Sequence, residues 1–69
     1  MNNDLIHKIT EDILKLESLN LLNKVDEKNL SELLKQLRLL KAIVLKSEEL
    51  EKCQVIYKSL KIPIQMLLA

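Results

Sequence analysis

Apolar residues recur every three or four positions along most of this chain, and the phase of that recurrence shifts from segment to segment. In the first segment Leu5, Ile6, Ile9, Ile13 and Leu16 fall on one helical face, continued by Leu19 or Leu22. Lys8, Glu11, Asp12 and Lys15 fall largely on the other face. Asn3 or Asp4 offers a side-chain acceptor for the first free backbone amides, the usual role of an N-cap. The pattern predicts a helix from about Asp4 to Leu21 or Leu22, with a short connection where Asn20 and Asn23 bracket two leucines.

The second helix has a clearer start. Asp26 can cap it, and Val25 ahead of the cap can pack on Leu30 as a hydrophobic staple. Leu30, Leu33, Leu34, Leu37, Leu40 and Val44 then form a stripe at helical spacing, with Lys28, Lys35 and Arg38 directed away from it. A coiled-coil seam continued from this stripe would have to use Ser47, Glu51 and Gln54, and such a seam requires sustained apolar positions. A new stripe, Leu50, Cys53, Tyr57 and Leu60, starts in a different phase. Ser47 stands at the slip as a candidate cap, and Glu48 and Glu49 complement a helix N-terminus. The chain therefore predicts two helices here, roughly 26–45 and 48–61, rather than one rod.

Near the end, Pro63 disfavours helical geometry at Ile62 and suits the first turn of a new helix. Ile64, Met66, Leu67 and Leu68 would make that element short and strongly apolar, and so dependent on docking. The fold expected is all-α: a single domain over residues 1–69, built as a compact antiparallel bundle of three helices plus a short fourth.

Composition supports the helical reading and narrows the chemistry. The chain has no glycine and one proline, which disfavours tight hairpins, phosphate-cradling loops and dinucleotide fingerprints. A net charge of +1 gives no overall field to attract nucleic acid or a membrane surface. No apolar run approaches the roughly 18 residues of a membrane span. The start Asn2, Asn3, Asp4 lacks the basic opening of a signal peptide, so an intracellular location is expected.

No residue pattern points to catalysis. His7 lies beside the first apolar stripe with no nucleophile or acid tied to it by a motif, and reads as a surface or half-buried histidine. Cys53 falls on an apolar stripe and reads as a small buried hydrophobe. One Cys and one His cannot form a structural zinc site, and no metal or cofactor is expected. Glu11 and Asp12 read as solvated surface. Segment 24–46 carries Lys24, Lys28, Lys35, Arg38, Lys41 and Lys46 against Asp26, Glu27 and Glu32. That basic strip is most simply a solvated face. Binding nucleic acid through it is disfavoured, since the chain has no Phe or Trp for stacking.

Apolar residues outnumber what so small an interior needs. Leu39 and Ile43 lie off the main stripe of the second helix, and Leu19, Leu21, Leu22, Leu45, Ile62, Ile64 and Leu67 add to the surplus. A contiguous exposed apolar patch marks a contact surface, so a protein partner or self-association as a homo-oligomer is expected.

The segment from Glu32 to Pro63 resembles the helical N-terminal domain of transcription elongation factor TFIIS and its relative, the integrase-binding domain of lens-epithelium-derived growth factor. Leu33, Leu34, Leu37 and Leu40 match its leucine helix, and Leu50, Val55, Leu60 and Lys61 match the helix that follows. The family's Thr-x-Ile-Gly and its tryptophan-bearing last helix have no counterpart here. The resemblance implies a nuclear module that binds short disordered motifs of transcription regulators through inter-helix loops. By position these loops would use Leu22, Asn23, Val25 and Asp26 on one side and Ile62 and Ile64 on the other. Leu39 and Ile43 complete the expected partner-binding residues through their exposure on the second helix.

Overall fold

Among the described residues, three helices of nearly equal length account for the architecture: α1 (Asn2–Leu21), α2 (Glu27–Lys46) and α3 (Leu50–Leu68). The computed structural model describes residues 2–21, 27–46 and 48–68. Each helix packs on the other two. The body measures 37 × 17 × 17 Å, so its long dimension is that of one 20-residue helix of about 30 Å plus its ends. Glu17 of α1 reaches Arg38 of α2, Asp12 of α1 reaches Tyr57 and Lys61 of α3, and Leu33 of α2 shares a hollow with Pro63 and Leu67. Leu39 and Ile43 adjoin Ile56 and Leu60, so α2 is antiparallel to α3, while Leu5 and Lys8 adjoin Gln54 and Tyr57, so α1 is parallel to α3, giving an up-down-up bundle.

The core follows the predicted stripes closely. Leu30, Leu33, Leu34, Leu37, Leu40 and Val44 are the buried residues of α2. They meet Leu5, Ile9, Ile13 and Leu16 of α1 and Cys53, Tyr57 and Ile64 of α3, with Ile6, Leu19, Leu50 and Leu60 packed partly against them. Acid at Glu27 and base at Lys46 complement the dipole of α2 at its two ends. The separation of α2 from α3 is as expected, and the carbonyl of Glu49 accepts the first backbone bond of α3, from Cys53 at 3.3 Å. The caps assigned to Ser47 and Asp26, and the staple on Val25, lie outside the described residues.

Two local expectations are corrected. Helix α1 already includes Asn2, so Asn3 and Asp4 sit in its first turn rather than at its cap. No short fourth helix forms, because α3 runs unbroken through Pro63 to Leu68. Proline removes one backbone donor and crowds the preceding turn, a cost of roughly 3 kcal/mol in a helix interior. Docking offsets it: Ile64 is fully buried directly after Pro63, and Leu67 and Leu68 pack on the core from the next turn. Tertiary burial thus decides the conformation that local preference would have broken.

Candidate functional site: an apolar groove between the second and third helices

The three seams of the bundle differ in chemistry. On the α1–α2 seam, Arg38 Nη2 lies 3.6 Å from Glu17 Oε2, both side chains being largely exposed. The α1–α3 seam holds a buried polar tie. Asp12 is 2 % exposed, and its Oδ2 accepts a 2.5 Å hydrogen bond from the Tyr57 hydroxyl. Lys61 Nζ donates to both carboxylate oxygens, at 3.0 and 3.1 Å, and stands 5.6 Å from the Tyr57 ring centroid.

That tie overturns the expectation that Asp12 is solvated surface. Its position carries the signal: Leu5, Asp12 and Leu19 are seven residues apart, and Ile9 and Leu16 interleave with them. Asp12 is therefore a seam residue by spacing, although its charge suggests a surface one. Its partners lie 45 and 49 residues away in the chain, beyond any local pattern. Burial, followed by the hydrogen bond to the Asp12 carboxylate, raises the pKa of Tyr57 above 10.0. Burial opposes the charge of Lys61, but its hydrogen bonds to Asp12 and Tyr57 outweigh this and raise its pKa above 10.5. Every polar atom of this cluster is partnered by its neighbours, which makes it a positioning device for α1 on α3.

The third seam, between α2 and α3, is different in kind. Leu39 and Ile43 of α2 are 56 % and 50 % exposed, and Ile56 of α3 is 47 % exposed. Together with Gln36, Leu40 and Leu60 they line one apolar hollow. It continues past Ala42 to Lys46 at one end. At the other end Gln36 leads into a second hollow of about 410 Å³, bounded by Asn29, Glu32, Leu33, Pro63, Met66 and Leu67. Ile56, Leu60, Pro63 and Leu67 recur at intervals of four, three and four, so α3 presents one face to the whole groove. Gln36 donates to Glu32 at 3.2 Å along α2, holding the polar rim in place at that end.

The predicted partner-binding residues separate accordingly. Leu39 and Ile43 come together in the groove, joined by Ile56, which lies beside the α3 stripe and is not among the predicted residues. Ile62 is exposed on α3, but in a helix rather than a loop. Ile64 is a core residue, fully buried, and is withdrawn from the contact surface: the unbroken helix turns it inward. Leu22, Asn23, Val25 and Asp26 lie outside the described residues. His7 is exposed and Cys53 is buried. The basic strip divides: Lys35 and Lys46 share the outer face of α2, Arg38 turns toward Glu17, and Lys41 is half-buried.

Among the described residues, no cluster of three or more His, Cys, Asp or Glu side chains is placed to hold a metal ion, and no helix is long and apolar enough to cross a membrane. Neither the family models, nor the curated proteins, nor the solved structures contain a match to this chain.

Proposed function

We propose that this chain is a protein–protein interaction module whose α2–α3 groove receives an amphipathic helix of a partner. One observation carries the proposal: Leu39, Ile43 and Ile56 are each about half exposed yet adjoin in one apolar hollow that extends along the seam. Scattered exposed leucines are ordinary on a small protein, whereas aligned ones beside a groove are the form in which an apolar helix face is recognised. A helix laid there would complete a four-helix bundle with packing like that of the three seams already closed. In this role the chain does no chemistry of its own, with His7 a surface residue and Cys53 a packing residue.

The narrower version, capture of short motifs from transcription regulators, rests on the TFIIS-like resemblance and on two loops. Residues 62–64 are helix interior, so no loop on that side supports it, and residues 22–26 lie outside the described residues.

A photo-crosslinking residue placed at Leu39 in cells tests the groove directly. The expected result is an adduct with a polypeptide, either another chain or a second copy, that the same residue placed at exposed Leu14 does not give. Equal labelling from both positions, or none from Leu39, would refute the proposal.

A further inference from the structure

The α2–α3 groove accepts a second copy of this chain, and we infer that the protein is a two-fold antiparallel dimer closed through it. The inference rests on the groove being a docking site, and adds the identity of the occupant. Its basis is the order of charges along the outer face of α2. Glu32 stands at one end, Leu39 in the middle and Lys46 at the other end, with Glu32 and Lys46 each seven positions from Leu39. Glu32 and Lys46 each project within about 20° of Leu39, on either side of it, at 100° per residue. All three are exposed and border the groove.

A two-fold axis crossing α2 at Leu39, perpendicular to the helix, sets α2 antiparallel to α2 of the second copy. Leu39 then meets Leu39 of the second copy, and Glu32 of each chain meets Lys46 of the other, so the pairing occurs twice. The same axis crosses α3 near residues 58 and 59, because Leu39 and Leu40 share their hollow with Ile56 and Leu60. Across these pairs no like charges oppose. Running α2 parallel to its copy would instead set Lys35 against Lys35 and Lys46 against Lys46, which is destabilising.

Analytical sedimentation of the full chain, with Glu32→Lys, Lys46→Glu and the double exchange, tests both the dimer and its register. The wild type is expected at twice the 8.0 kDa chain mass. Each single reversal should weaken the dimer about tenfold, because each disturbs two cross-chain pairs, and the double exchange should restore it to within about twofold. Circular dichroism should show the helical fold kept throughout, with at most a small loss where Lys46 no longer complements the C-terminus of α2. A wild-type mass of one chain at every concentration overturns the inference, as does a dimer indifferent to the reversals. If the mass is that of a monomer while Leu39 crosslinks to a different polypeptide, the second copy fails and the groove proposal stands. A monomer with no adduct ends both.

Discussion

Replacing Tyr57 by Phe keeps the ring in the core and removes only the hydroxyl that donates to Asp12. Because that acceptor is a buried carboxylate, the change should cost about 1.5–3 kcal/mol, read from the midpoint of chemical unfolding. An unchanged midpoint would mean that Lys61 alone satisfies Asp12. The same cluster predicts a pH dependence. Tyr57 and Lys61 hold their protons to higher pH in the folded chain than in the unfolded one. Their contribution is therefore complete below the ordinary values of 10.0 and 10.5 and is lost as pH rises through the raised ones. Stability should fall in alkali, and the fall should be shallower in Tyr57→Phe. Parallel alkaline profiles for the two proteins would contradict the tie. Asp12 shows where reading the sequence stops: the heptad spacing marks a seam position, but only the fold brings Tyr57 and Lys61 to it.

The helices themselves were far more legible. All six buried residues of α2 lie on the stripe at spacings of three and four, and the phase slip after Val44 correctly separates α2 from α3. Pro63 is the exception, since a rule about local backbone preference gives way there to the burial of Ile64 and the packing of Leu67 and Leu68. Pro63→Ala should restore the missing backbone bond and stabilise the domain by about 1–2 kcal/mol, allowing for the greater freedom of the unfolded variant. Thermal unfolding would detect a gain of that size, which in a domain this small corresponds to several degrees. A lower melting temperature would show that the proline ring contributes packing along the groove that alanine cannot replace.

Viewed entire, the molecule closes two of its seams with cross-ties, Glu17–Arg38 and Asp12–Tyr57–Lys61, and lines the third with half-exposed aliphatic side chains. The surplus of apolar residues was plain in the sequence, and Leu39 and Ile43 stood off their stripe. Their alignment with Ile56 required the packing of α2 on α3, and a second chain over them lies beyond any single-chain pattern. Methyl NMR of the assembled protein with a soluble paramagnetic agent measures that coverage directly. The methyl groups of Leu39, Ile43 and Ile56 should be shielded from the agent, while those of Leu14 and Leu21, exposed on α1, should relax strongly. Equal relaxation of the two sets would show an uncovered groove and contradict the assignment of this seam as the contact surface.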